Sequence, residues 1–166
     1  DNGIDVELTA TTRVGLHKYT FNKKGKTKVV LDLNHRDQLL QGEIKLVGNN
    51  AVEGIRRSKA WAQNQTLYYY IEFSEPIAEH SKLVANENDL ECMFQFNLND
   101  KKELMVKVGI SSVSAEGAKN NMQTELPGWD FAKTKQAAEE AWNKELSKIE
   151  IKCTEWEIWL SIVLDR

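Results

Sequence analysis

A mostly-β fold is predicted: an antiparallel β-sandwich of the supersandwich type with one C-terminal amphipathic α-helix. Three observations carry this. The front two thirds of the chain alternate apolar and polar residues with period two, the pattern of half-buried strands. Turn chemistry recurs at roughly ten-residue intervals, the spacing of short antiparallel strands. After Asp130 the apolar period lengthens to that of a helix.

The elements follow in order. Ile4, Val6, Leu8 and Ala10 share one strand face, with Asp5, Glu7 and Thr9 on the other. Val14 and Leu16 open a second strand that runs to Phe21, and Asn22-Lys23-Lys24-Gly25-Lys26 supplies a turn. Val29, Leu31 and Leu33 alternate after it, so residues 13–33 read as a hairpin. Leu40, Ile44 and Leu46 line the next strand, opposite Gln41, Glu43 and Lys45. Gly48-Asn49-Asn50 turns the chain, and residues 51–58 return antiparallel. Leu67, Tyr69, Ile71 and Phe73 form a further strand, broken at Pro76. Leu90, Cys92, Phe94, Phe96 and Leu98 alternate most clearly; after the Asn99-Asp100-Lys101 turn, Leu104, Val106, Val108 and Ile110 answer them as a hairpin partner.

Asp130 is an N-cap for a helix over 131–148, whose apolar stripe of Phe131, Ala138, Trp142, Leu146 and Ile149 predicts docking on the sheet through Trp142. A shorter helix or irregular turn falls around 114–122. Beyond Ile151 the apolar residues fit a strand and a helix equally well.

The bulk numbers narrow the function classes. A chain of 166 residues, 41% hydrophobic and 28% charged, is an ordinary single globular domain. A net charge of -3 with interspersed signs leaves no footprint for nucleic acid. No apolar run is long enough to span a bilayer, so no membrane partner is expected. Two cysteines, Cys92 and Cys153, allow at most one internal disulfide, and no His/Cys cluster has metal-ligand spacing.

Several segments, in this order, resemble the N-terminal domain of glycoside hydrolase family 92. They are Gly3 to Thr11, Arg13 to Phe21, Val30 to Leu33, Trp61-Ala62-Gln63-Asn64-Gln65, and Tyr68 to Ser74. The most telling run is Val106-Lys107-Val108-Gly109-Ile110-Ser111, then Ala115-Glu116-Gly117-Ala118, Asn120-Asn121 and Glu125-Leu126-Pro127-Gly128-Trp129-Asp130-Phe131, ending at Ala141-Trp142-Asn143. The ordered set covers about residues 3–151, read as a partial N-terminal domain including the helix, with 152–166 as an atypical tail.

The resemblance implies bacterial, secreted or periplasmic exo-acting α-mannosidases that invert configuration and depend on calcium. In them a β-sandwich precedes an (α/α)6 barrel that carries the acid, the base and the calcium ligands. Mannose-containing glycans and the barrel are the implied partners. No cofactor is assigned to this chain itself. The family's Gly- and His-rich opening would precede Asp1, and Cys153 to Arg166 does not resemble the entry to the barrel. The expectation is therefore a domain piece cut at both ends, its tail produced by a frameshift or truncated reading frame, and inactive alone.

An inverting glycosidase needs two carboxyls roughly 6.5–9.5 Å apart. Most carboxylates here lie on polar faces of strands and helix, so no catalytic pair and no metal ligand is nominated. Five residues are candidates for carbohydrate or domain-interface contact: His35 and Asp37 after a strand end, and Arg56, Arg57 and Trp61 around the next loop. The alternative function is a stand-alone carbohydrate-binding module for mannosides centred on Trp61. Tyr68, Tyr69 and Tyr70 must alternate across a sheet, and Trp129 reads as helix-to-sheet packing. Cys92 reads as an inert core thiol. Asn64-Gln65-Thr66 fits the glycosylation sequon, a coincidence in a protein of bacterial type. Apolar surface facing an absent partner is expected to drive self-association through exposed edges.

Overall fold

The computed structural model describes residues 3–83, 90–99 and 102–149; the 152–166 tail lies outside them. Among the described residues, nine strands and two helices follow one another: β1 (Ile4–Ala10), β2 (Val14–Phe21), β3 (Lys26–Asp32), β4 (Gln38–Val47), β5 (Ala51–Lys59), β6 (Gln65–Phe73), β7 (Ile77–Leu83), β8 (Glu91–Asn97), β9 (Glu103–Ser111), α1 (Ala115–Glu125) and α2 (Phe131–Leu146). They form a six-stranded sheet of order β1-β2-β9-β6-β5-β4 and a three-stranded sheet of order β3-β8-β7, every pairing antiparallel. The predicted sandwich is therefore present.

Two expected hairpins are instead corners of the sandwich. β2 pairs with β1 and β9, while β3 pairs with β8 in the other sheet. Likewise β8 and β9, expected to pair, lie in different sheets. An alternating strand buries the same residues whether its successor lies beside it or faces it across a core, so periodicity cannot tell a hairpin from a corner. The two corners are tied together, Leu98 N–H donating to Gly25 O at 3.0 Å and Phe21 N–H to Lys102 O at 2.7 Å.

Between the sheets, Phe73 packs against Phe94 and Phe96 with ring centroids 5.6 and 4.8 Å apart. Leu33, Val52, Tyr69, Ile71, Cys92, Leu98, Leu104 and Val106 complete this core. Gly54 is required here: the Tyr69 ring lies over it while its hydroxyl donates to Glu43 O at 2.7 Å, and a Cβ would meet that hydroxyl at 2.6 Å. In β4 a bulge between Leu39 and Gln41 shifts the phase, so Leu39 packs on the core and Leu40, expected there, is exposed. β7 was not legible, because Glu79, His80, Ser81 and Lys82 give an edge strand no apolar alternation. The smaller sheet leaves part of the inner face open, and Ile4, Val6 and Leu8 on the edge strand β1 remain exposed.

The outer face of the six-stranded sheet is covered by α1, a helix of about three turns where a shorter helix or irregular turn was expected. Ser114 caps it, its hydroxyl accepting from Gly117 N–H at 2.9 Å. Ala118, Met122 and Leu126 bury Val14, Leu16, Ala51 and Tyr70 in a second core. The middle tyrosine of the run thus faces the main core, and Tyr70 lies under α1 with Lys119 5.7 Å from its ring. Asp130 caps α2 as predicted, accepting from Lys133 N–H at 2.9 Å.

The docking of α2 differs from expectation. Only Phe131 and Thr134 are buried, whereas Trp142 is 69% and Leu146 64% exposed. The helix meets the sheet through its first turns beside β1 and carries the rest of its apolar stripe into the open. Periodicity identified the stripe but not what lies against it.

Unfolding by denaturant should reflect this division. Phe94→Ala, at the centre of the core, is expected to cost roughly 3–5 kcal/mol. Trp142→Ala is expected to stay within about 0.5 kcal/mol. Equal losses would mean that α2 is anchored through Trp142 after all.

Candidate functional site

The five candidate residues do not form one constellation. β5 alternates across its sheet, so Arg56 turns inward with Val52 and Gly54, and Arg57 turns to the outer face. Arg56 acts as a clamp on the loop between β3 and β4. Its Nε donates to Leu33 O at 2.9 Å, one terminal nitrogen to Ser58 Oγ at 2.9 Å, and the other to His35 O at 3.1 Å. Asp37 stands 3.9 Å from the guanidinium. Three of the five residues are thus brought together, but His35 contributes its carbonyl rather than its ring. The same loop holds Arg36 at φ 71°, a left-handed conformation that the clamp helps to maintain.

Arg57 lies beside Thr66 and Gln41 on neighbouring strands, and its Nε is buried without a hydrogen-bond partner. Trp61 occupies the loop between β5 and β6 and is fully exposed. Among the described residues its ring covers nothing, which suits a surface for stacking.

A groove of about 800 Å³ lies elsewhere, between the β1–β2 turn, the α1–α2 elbow and α2. Thr11, Glu125, Asp130, Lys133, Ala138 and Trp142 are among its lining residues. Sequence reasoning missed it, since its walls converge from segments more than a hundred residues apart, as the Arg13–Glu125 contact records. Glu125 and Asp130 are the carboxylates here, and both are committed to structure. Glu125 accepts from Thr11 Oγ1 at 2.6 Å and from Arg13 N–H at 2.9 Å, and pairs with the Arg13 guanidinium. Burial pushes Glu125 upward, but these hydrogen bonds and the guanidinium charge outweigh it and hold the carboxyl below its ordinary range. Asp130 is the α2 cap.

The elbow is pinned to the sheet beside this groove. Lys107, 2% exposed, has its ammonium 4.1 Å from the Trp129 ring centre. Burial lowers its pKa, partly offset by Glu72 across the strand pair. Lys18 stands 4.9 Å from the Phe131 ring. Trp129 therefore serves helix-to-sheet packing, as read from the sequence. Among the described residues no group of three or more His, Cys, Asp or Glu side chains could hold a metal ion. Calcium, which needs six to eight oxygen ligands, is not fitted by these residues.

Acid should destabilise the fold in two stages. His17, half-buried with Nδ1 2.9 Å from the Tyr19 hydroxyl, is held by burial below its ordinary value of 6.5. The unfolded chain therefore takes up that proton first, and stability starts to fall below about pH 6.5. Glu125 contributes stability above its ordinary value of 4.5, lost as pH falls through its lower folded value. Melting temperature measured against pH should show both, and Glu125→Gln should flatten only the fall below pH 4.5. Unchanged slopes in that variant would show that the carboxylate is not what holds the elbow.

Comparison with known proteins accords with this architecture. The glycosyl hydrolase family 92 N-terminal domain matches residues 1–111, and the glycosyl hydrolase family 92 catalytic domain matches residues 117–158. The second match reaches into the stretch after Ile151 that the sequence reading set apart as atypical. A family GH92 α-mannosidase from Bacteroides thetaiotaomicron superposes with a TM-score of 0.76 at 22% identity, covering 91% of this chain and 23% of that one. The same enzyme has also been solved in complex with mannoimidazole. A GH92 inverting mannosidase from that organism gives a TM-score of 0.78 at 22% identity, over 92% of this chain and 22% of its own. An uncharacterized secreted glycosidase of Arthroderma benhamiae is 36% identical over 61 residues, which are 36% of this chain and 8% of that protein. The chain thus spans less than a quarter of the length of the solved structures it resembles. With the N-terminal-domain match extending over about two thirds of its residues, the chain belongs to glycosyl hydrolase family 92.

Proposed function

We propose that this chain is part of the non-catalytic N-terminal domain of a secreted or periplasmic exo-α-mannosidase. It packs on an (α/α)6 catalytic domain, helps to shape that domain's site, and is inactive alone. The observation that carries this reading is the apolar stripe of α2, which no described residue covers. Trp142, Leu146 and Ile149 project from the sandwich, within the segment matched by the catalytic-domain family. An apolar stripe on a well-capped helix is the kind of surface that a neighbouring helix covers. Glu125 and Asp130 are held in structural hydrogen bonds, so this reading takes the acid and base of an inverting mechanism from the catalytic domain. Calcium and mannose-containing glycans belong to that assembled enzyme, and the secreted fungal relative supports an extracytoplasmic location.

Full exposure of Trp61 favours a second reading, a module that holds mannosides by itself. In isolation the open β1 edge, with exposed Ile4, Val6 and Leu8, also favours self-association.

The purified chain is expected to hydrolyse no α-mannoside, with or without calcium. It should co-elute with the catalytic domain of a family 92 mannosidase produced separately, and Trp142→Ala should abolish co-elution. Calorimetric titration with mannobiose separates the two readings, because only a module binds without the catalytic domain. Turnover by the chain alone would overturn both.

A further inference from the structure

Trp61 and the chain's single Asn-X-Thr sequence, Asn64-Gln65-Thr66, fall in the same hairpin connection. β5 and β6 pair as far as Ser58 with Gln65, so residues 60–64 form a short loop at the tip of a paired ribbon. Trp61 and Asn64 are both exposed there, as are Ala62, Gln63 and Gln65. Three residues of chain span at most about 10 Å, and the loop reverses direction within them. Asn64 and an uncovered indole are therefore held over one tip.

A lone exposed tryptophan is ordinary on a protein surface, but in this hairpin tip the whole indole face is open to whatever covers it. Nothing among the described residues does: the ring is fully exposed, and no aromatic or cation contact of Trp61 is present. A sugar attached three residues away has the size and amphipathic surface to do so, since the apolar face of a pyranose matches an indole face. We propose that Asn64 is an N-glycan acceptor in any host whose secretory route carries an oligosaccharyltransferase, and that Trp61 is the stacking platform for the first sugar. The assignment rests on the extracytoplasmic reading above. It also gives the sequon a function that the sequence reading, taking the protein as bacterial, set aside.

The chemistry is a substitution at the anomeric carbon of a lipid-diphosphate-linked oligosaccharide. A C–N bond forms from Asn64 Nδ2 to that carbon, and the C–O bond to the diphosphate breaks. The lipid diphosphate leaves with the electron pair, and the displaced amide proton passes to a base of the transferase. Thr66 supplies the hydroxyl by which such a transferase recognises its acceptor. It opens β6 directly after the loop and is half-buried on the outer face beside Arg57.

The test is secretion of the full chain from a yeast host behind a cleavable signal sequence. Supplying that signal separates this proposal from the extracytoplasmic reading, which the native gene's own leader would decide. The tryptic peptide from Ala60 to Lys82 should carry a single N-glycan, and enzymatic release should leave an aspartate at position 64. Asn64→Gln and Thr66→Ala should each abolish the modification with the fold, read by circular dichroism, unchanged. Trp61→Ala should lower the fraction occupied. The occupied wild type should melt higher than its enzymatically deglycosylated form, and that difference should vanish in Trp61→Ala. An unmodified peptide from the secreted wild type would overturn the acceptor assignment. Equal occupancy together with an equal melting difference in Trp61→Ala would overturn the platform.

Discussion

The seating of α1 directly on β9 is the constraint from which the arrangement of the helical region follows. At Gly109 the helix comes so near that a Cβ would lie 2.6 Å from Ala118 O and 3.2 Å from Met122 Cβ. Any side chain there would lift the helix from the sheet. With α1 held this low, Ala118 and Met122 reach Val14 and Leu16, and the Tyr70 ring lies beneath the helix. The height of α1 also determines where Leu126 enters the second core and hence where the chain turns toward α2.

The turn is then held by charge-assisted contacts rather than by more apolar area. Glu125 ties it to the β1–β2 turn, Lys107 of β9 lies against Trp129, and Lys18 of β2 lies against Phe131. A cation on an aromatic ring and a hydrogen bond to a charged group hold most strongly where water is excluded, as at the buried Lys107. These contacts add to the burial of Leu126 and Phe131 in the second core, so α2 takes its direction from its first turn. That leaves Trp142 and Leu146 open on a helix whose first turns are firmly placed.

Apart from β7 and the full extent of α1, the elements were legible in the sequence, because alternation in β8 and the Asp130 cap are local signals. Sheet membership was not. Val29, Leu31 and Leu33 point inward equally well in a hairpin with β2 and in a facing sheet with β8. Bulges hide in the same way: one extra residue in β4 exchanged Leu39 for Leu40 without altering composition. Of the candidate site, Arg56 and the His35–Asp37 loop were read as separate groups, and their contact was not legible because it joins segments about twenty residues apart only through the fold. Arg57 was grouped with Arg56 by adjacency, which in a strand separates side chains to opposite faces. The elbow groove was invisible because Thr11, Arg13 and Glu125 meet only through the fold.

The two family matches divide the chain between Ser111 and Gly117, yet the physical unit does not divide there. Val14, Leu16 and Tyr70 belong to the first segment, and among the described residues their cover is Ala118, Met122 and Leu126 of the second. Gly109 and Ala118 lie on either side of the division and are in contact. Separation at that point would expose an apolar outer face on β2, β9 and β6 and leave Lys107 facing water without Trp129. The boundary between one domain's sequence family and the next therefore runs through a packed core. A change in the height or angle of α1 must move the sandwich and the exposed stripe of α2 together, which couples the sandwich mechanically to whatever covers that stripe.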